Sequence, residues 1–120
     1  MIRGIGVDIL EINRFSNLYA KWGSRLLNKI FNNDEIPEVS SQKKIIQSLS
    51  GKFAAKEAIS KAYGTGVGSF ISFKDIKILK NKSGQPIVSL KNNNLDNVHL
   101  SISHTDTYAV AFAVIEIRDE

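Results

Sequence analysis

Alanine recurs every fourth residue at Ala54, Ala58 and Ala62, and every second residue at Ala109, Ala111 and Ala113. The first spacing belongs to one face of a helix and the second to one face of a strand. An alanine face on a strand lets a helix approach its backbone closely, and the helical alanine row is the fitting partner. The helix itself reads from about Ser40 to Tyr63. Ile45, Ile46, Leu49, Phe53 and Ile59 recur along it at three- and four-residue steps beside the alanines. Ser40 or Ser41 can cap its start, and Gly64 can close its end in the left-handed conformation. Gly51 weakens its middle by up to about 1 kcal/mol relative to alanine.

The rest of the chain supplies partners for that helix. "IRGIGVDIL" (2–10) is rich in β-branched residues and reads as a strand that ends near Asp8. Ile12, Phe15, Leu18, Tyr19 and Trp22 follow at helical spacing over 11–22, Gly23 interrupts, and "SRLLNKIF" adds another turn or two. "NNDEIPEVSSQ" is a loop. "FKDIKILK" (73–80) and "IVSL" (87–90) form a hairpin around "NKSGQP", and "NNNLDN" is a loop. "VHLSIS" (98–103) alternates Val98, Leu100 and Ile102 against His99, Ser101 and Ser103. "YAVAFAVIEI" (108–117) sets its alanines against Tyr108, Val110, Phe112 and Val114. The expected class is α+β: one long helix and shorter helices packed on a mainly antiparallel β-sheet. With 120 residues, no repeat and no linker, it is read as a single domain over 1–120.

Composition excludes some chemistry. The chain has no cysteine, so disulfides, thiolate nucleophiles and cysteine-based zinc sites are out. No run approaches the roughly 20 apolar residues that cross a bilayer. "MIRGIGVDIL" lacks the apolar stretch of a secretory signal, so a cytoplasmic protein without a membrane partner is expected. The net charge of +4 leans weakly toward anionic partners: phosphates, nucleic acid or an acidic protein. Aromatic residues are not interleaved with lysine and arginine on one strand face, and no nucleic-acid motif appears, so a nucleic-acid partner is not expected.

Several side chains can carry chemistry. Asp8 stands at the end of an apolar strand, where a carboxylate is rigidly held, although such a residue can equally cap the helix that begins near Glu11. Glu57 and Lys61 are four apart and share a helical face. Such a pair can be an ordinary surface ion pair, but Phe53 lies one turn earlier, so that row borders the core, where a glutamate wants a cation, and magnesium could be that cation. "GTGVG" (64–68) follows a helix C-terminus, the wrong pole for a phosphate loop. In "LSISHT" (100–105) a nucleophilic triad with Asp106 is disfavoured, and His104 reads better as a phosphate donor or a site-lining group. Arg14, Lys21, Arg25 and Lys29 are spaced by seven, four and four, as either a solvated side or a docking surface for an acidic partner.

"GIGVDILEINR", "FNNDE", "GKFAAKEAISKAYGTG" and "LSISHT", in that order over nearly the whole chain, resemble the holo-acyl-carrier-protein synthase family, the small bacterial 4′-phosphopantetheinyl transferases. The resemblance implies that fold, and transfer of the phosphopantetheine arm of coenzyme A to a serine of acyl carrier protein. Adenosine 3′,5′-bisphosphate would be the by-product, and fatty acid biosynthesis the setting. It implies Asp8 and Glu57 as magnesium ligands, with Lys61 on a coenzyme A phosphate; these three are the expected catalytic residues. It implies Ser103 and His104 in the coenzyme pocket, Arg14 on the carrier's acidic helix, and a homotrimer with sites between subunits. We expect Lys21 and Arg25 to join Arg14. Lys43, Lys44 and Lys52 are expected to take nucleotide phosphates, with Gly64, Gly66, Ser83, Gly84 and Pro86 completing the coenzyme site. Lys52 stands where the family often has arginine; it keeps the charge and loses the bidentate fork. Ser50 replaces a small apolar residue, with little effect expected. The serine proton can go to a metal-bound water, to Glu57 or to Glu35.

Overall fold

The computed structural model describes residues 1–39, 41–64, 71–91 and 96–118. Strand β1 (Ile2–Glu11) runs into helices α1 (Ile12–Trp22) and α2 (Ser24–Ile30), then a 3-10 turn at Asn33–Glu35. The long helix α3 (Gln42–Ala62) follows, then a 3-10 turn at Phe73–Asp75 and strands β2 (Ile76–Lys80), β3 (Pro86–Leu90), β4 (Asp96–His104) and β5 (Tyr108–Ile117). β1, β5 and β4 form one sheet in that order, and β2 pairs with β3 in a second. Every one of these pairings is antiparallel. The α+β class expected above is therefore the fold.

Two details differ from the sequence reading. The hairpin is a sheet of its own and does not extend the larger one. Its expected first residues, 73–75, form the 3-10 turn, because the Asp75 carboxylate accepts the Ser72 N–H at 3.0 Å and curls the backbone.

The alanine rows meet as expected. Ala54, Ala58 and Ala62 of α3 share a buried cluster with Ala111 and Ala113 of β5. The closest approach, however, is to β1. A Cβ added to Gly6 would lie 2.0 Å from the Ala58 carbonyl oxygen, and one on Gly4 would lie 1.9 Å from that of Ala62. Glycine is required at both positions because helix backbone rests directly on strand backbone. The same face of β1 next presents Asp8, which is how that carboxylate comes to lie against α3. At Gly51, α3 passes over Ile102 of β4, where a Cβ would meet the Ile102 methyl at 3.0 Å.

A second core lies under α1 and α2. Phe15 packs edge-on to Phe31 at 6.4 Å, and Phe53 bridges Phe15 at 5.8 Å and Phe73 at 5.4 Å. Gly23, at φ 53°, breaks α1 from α2. Ser41 caps α3 by accepting the Lys44 N–H at 3.4 Å, and Gly64, at φ 80°, follows its C-terminus; the alternative cap Ser40 lies outside the described residues. On the sheet face away from α3, Ile5, Val7, Ile9, Tyr108 and Phe112 stand exposed.

Candidate active site

Two acidic residues and a lysine meet where β1 crosses the C-terminal half of α3. The Lys61 ammonium donates to Asp8 Oδ1 at 2.8 Å and to the Val7 carbonyl at 3.2 Å. Asp8 does not cap α1, whose N-cap is Glu11 with no side-chain bond. Glu57 lies one turn before Lys61. Its carboxyl is pushed above its ordinary value, first by burial and then by the negative charge of Asp8, with Lys61 opposing. Asp8, Glu57 and Lys61, 53 positions apart in sequence at the extremes, are thus brought together.

This donor set fits a hard divalent cation. Two carboxylates repel each other here, and a cation between them relieves that repulsion. The Lys61 ammonium already occupies one side of Asp8. Among the described residues no three His, Asp or Glu side chains gather into a cage made of protein alone. Magnesium asks for less: one or two carboxylates, water and substrate oxygens.

A cavity of about 310 Å³ lies along the N-terminal half of α3, lined by Lys44, Ser48, Gly51, Lys52, Lys80, Gly84, Pro86, Ile102 and His104. It gathers five of the residues expected to hold the coenzyme: Lys44, Lys52, Gly84, Pro86 and His104. Ser83 sits in the same turn, where its N–H and hydroxyl bond Asn81 Oδ1 at 3.0 and 2.7 Å. Ser103 does not reach this cavity, because strand alternation turns it to the face opposite Ile102 and His104. Lys43 faces a separate groove, where it lies 3.9 Å from Asp106. Among the described residues no hydrogen bond joins a serine, His104 and Asp106 into a triad. Gly64 sits at the end of α3 behind Lys61, to whose carbonyl its N–H donates at 2.9 Å. Gly66, with most of "GTGVG", lies outside the described residues.

Glu35 cannot take a substrate proton. Its side chain is 0% exposed. Oε1 accepts the Asn32 N–H at 2.9 Å, Asn32 Nδ2 at 3.0 Å and Lys56 Nζ at 2.7 Å, while Oε2 accepts the Ile78 N–H at 2.9 Å. With its whole side chain buried and both oxygens bonded, it offers no oxygen to a ligand at the surface.

Two lysines escaped the sequence reading. Lys80 lines the cavity. Lys56 received no role, yet it is fully buried. The signal for it was present: Lys56 stands three residues from Phe53 and Ile59 and seven from Leu49, on an apolar stripe of the helix, and "FNNDE" supplies an acid. Lys52 is also buried, and its ammonium donates to the Glu35 carbonyl. Burial pushes the Lys52 ammonium below its ordinary value, the Glu35 charge opposes this, and Lys80 adds to it. Ser50, expected to matter little, is fully buried with a hydroxyl that finds no partner among the described residues.

Arg14, Lys21 and Arg25 are all exposed on α1 and α2. Lys21 and Arg25 flank the Trp22 ring at 5.2 and 5.7 Å, beside a groove of about 390 Å³ lined by Leu18, Trp22, Arg25, Leu26 and Lys29. Trp22 remains 44% exposed, an apolar surface between cations that the charge spacing alone did not suggest.

Known proteins share this fold. The family model of the 4′-phosphopantetheinyl transferase superfamily matches residues 4–113. A holo-[acyl-carrier-protein] synthase of Bacillus pumilus is 45% identical over 118 residues, covering 97% of each chain. One from Halothermothrix orenii is 42% identical over 124 residues, covering 97% of this chain and 98% of the relative. The crystal structure of a Bacillus anthracis holo-(acyl-carrier-protein) synthase in complex with CoA (3′,5′-ADP) superposes with a TM-score of 0.89 at 38% identity, covering 98% of this chain and 99% of that one. A Helicobacter pylori holo-[acyl-carrier-protein] synthase in complex with coenzyme A gives 0.84 at 32% identity, covering 93% and 99%.

Proposed function

The chain belongs to the 4′-phosphopantetheinyl transferase superfamily, among its holo-[acyl-carrier-protein] synthases, and from that premise we propose the following reaction. It transfers the 4′-phosphopantetheine group of coenzyme A to a serine hydroxyl of apo acyl carrier protein, with magnesium, releasing adenosine 3′,5′-bisphosphate. The observation that carries this reading is the meeting of Asp8 and Glu57, from distant parts of the chain, close enough for one charge to perturb the other, with Lys61 beside them.

Phosphoryl-centred transfer needs charge neutralised and the attacking and leaving oxygens aligned. Asp8 and Glu57 would hold magnesium, which when bound offsets the pyrophosphate charge. The Lys61 side chain is about half exposed, so its ammonium can turn from Asp8 to a donor phosphate and stabilise charge as it develops. With Glu35 locked in its own bonds, the serine proton passes to Glu57 or to a water at the site. Lys44, Lys52 and His104, with Ser83, Gly84 and Pro86 forming the turn at the rim, would hold the nucleotide end.

Glu57 and Lys52 lie about 140° apart around α3, at 100° per residue. The carboxylate pair and the cavity therefore do not share one helix face within a single chain. That separation supports active sites completed between subunits of a homotrimer, and the exposed apolar face of β1 and β5 offers a surface for the association. Lys43, outside the cavity of its own chain, would serve a neighbour's donor. Arg14, Lys21 and Arg25, with Trp22 among them, would dock the acidic carrier. The whole chain, 1–120, acts as one transferase domain in the cytoplasm and serves fatty acid biosynthesis. Among the described residues no helix is long and apolar enough to cross a membrane.

Mass spectrometry of an apo carrier protein incubated with this protein, coenzyme A and magnesium tests the reaction. A gain of one phosphopantetheine mass is expected, and its loss when the metal is omitted. No gain with the complete mixture refutes the reading.

A further inference from the structure

Lys56 and Glu35 are fully buried charges for which the transfer reaction has no use. Lys56 spends its three ammonium protons inside the protein, on Glu35 Oε1 at 2.7 Å, the Ile30 carbonyl at 2.8 Å and the Phe73 carbonyl at 2.9 Å. Its ammonium also lies 5.2 Å from the Phe31 ring centre. An ion pair taken wholly out of water is a weak way to gain stability, because desolvation offsets the attraction and an apolar pair of the same volume would serve as well.

What the pair supplies, and an apolar pair could not, is connection. Glu35 Oε2 holds the Ile78 amide on the free edge of β2. The Glu35 backbone carbonyl accepts the Lys52 ammonium. Lys52 and Ile78 are both walls of the cavity that Lys44 and His104 also line. A lysine on its flexible stem is otherwise a poor substitute for the planar fork of arginine. Tethered to a carbonyl that is itself pinned, Lys52 has little rotamer freedom left to lose when an anion arrives.

We propose that the Glu35–Lys56 pair positions the donor cavity, holding the Lys52 ammonium and the Ile78 wall in the arrangement that grips the anionic nucleotide end of coenzyme A. The inference rests on coenzyme A occupying this cavity, as proposed above. Both members are positioning residues and touch no substrate.

The test is the charge-neutral double variant Glu35→Gln/Lys56→Met, which is isosteric at 35, one atom shorter at 56, and strands no charge. The KM for coenzyme A should rise about tenfold, the loss of one well-placed charge-assisted hydrogen bond. The kcat and the KM for the carrier protein should stay within about twofold, since neither residue faces them. Lys52→Met alone should raise the same KM, and the triple variant should raise it no further, because both changes act through one ammonium. A double variant that melts earlier yet keeps the parent KM overturns the inference while leaving the donor site in place. If Lys52→Met leaves the KM unchanged, the donor lies elsewhere, and the assignment of the cavity falls with the inference. If the double variant does not fold, the parent protein decides the matter by reciprocity. Saturating adenosine 3′,5′-bisphosphate should slow hydrogen exchange at the Ile78 amide at least about tenfold more than at the Ala113 amide. Equal slowing at the two amides overturns the inference.

Discussion

Replacing Gly6 with alanine is the smallest change that should pull the carboxylate site apart. The new Cβ would sit 2.0 Å from the Ala58 carbonyl oxygen and 2.8 Å from the Ala62 nitrogen, whereas ordinary contact begins at 3.4 Å. The nearest atom must therefore retreat by about 1.4 Å, the difference of those two distances. It belongs to helix backbone, so no rotamer change can supply the movement, and α3 must lift from β1. Overpacking of this kind costs about 1–3 kcal/mol or more, and a rigid neighbour puts it at the upper end. In a domain of 120 residues, 3 kcal/mol corresponds to a Tm lower by about 10 °C. The same movement would break the 2.8 Å contact between Lys61 and Asp8 and separate Asp8 from Glu57. Thermal unfolding reads the first effect, and magnesium titration of transferase activity on the surviving folded protein reads the second. Gly51→Ala is the contrast. Its Cβ would meet only a side-chain methyl at 3.0 Å, which can yield by a few tenths of an ångström, and the helix gains up to about 1 kcal/mol in propensity. That variant should stay within about 1 kcal/mol of the parent. A Gly6→Ala protein that melts within 1–2 °C of the parent, roughly the measurement's reach, would show that β1 and α3 are not in backbone contact, and the reasoning would fail.

Three further outcomes follow from the same geometry. Burial and Asp8 raise the Glu57 carboxyl, so its contribution to stability is present below its unfolded value and is lost as pH rises through the folded one. Glu57→Gln should accordingly raise the Tm at neutral pH while abolishing magnesium-dependent transfer, and magnesium affinity in the parent should fall on acidification at a higher pH than an ordinary glutamate would set; a lower Tm for the variant contradicts the charge argument. Arg14→Glu should raise the KM for the carrier protein and leave that for coenzyme A nearly unchanged, and equal changes in both would remove Arg14 from the docking surface. Ser50→Ala removes a buried, unpartnered hydroxyl, so denaturant unfolding should find it neutral to more stable by up to about 1–2 kcal/mol; a clear destabilisation means that the hydroxyl has a partner.

The fold was legible where side-chain period and side-chain size agree. The alanine rows predicted a helix lying close on a strand, and alternation in 98–103 assigned the correct inner and outer faces of β4. Periodicity said nothing about residues without a side chain. Gly4 and Gly6 were read only as strand residues, although they are the point of closest approach to α3. Local hydrogen bonding also escaped it, which is why 73–75 was read as strand: an Asp75 that bonds its own backbone competes with the ladder. In the candidate site, the fold brings together the Asp8, Glu57 and Lys61 that the sequence singled out, but the sequence grouped Lys43 with Lys44, which open to different grooves. Strand alternation already set Ser103 opposite Ile102, and hence opposite His104; it was the family resemblance that grouped the two in one pocket.

Lys56 and Glu57 carry the sharpest lesson about charge on this helix. They are adjacent, so they point about 100° apart. One is driven inward and the other stays at the boundary, beside Asp8 and Lys61. Lys56 is stable as an ion at depth because every proton has an acceptor. Among the described residues the Glu57 carboxylate accepts no such hydrogen bond, and its carboxyl is raised, which is the sign of a charge held at a cost. A fold selected for stability alone would pair both. The second carboxylate stands beside Asp8 with only the Lys61 charge to offset the two, and that is the physical reason to test for a cation there and not at the better-satisfied acid, Glu35.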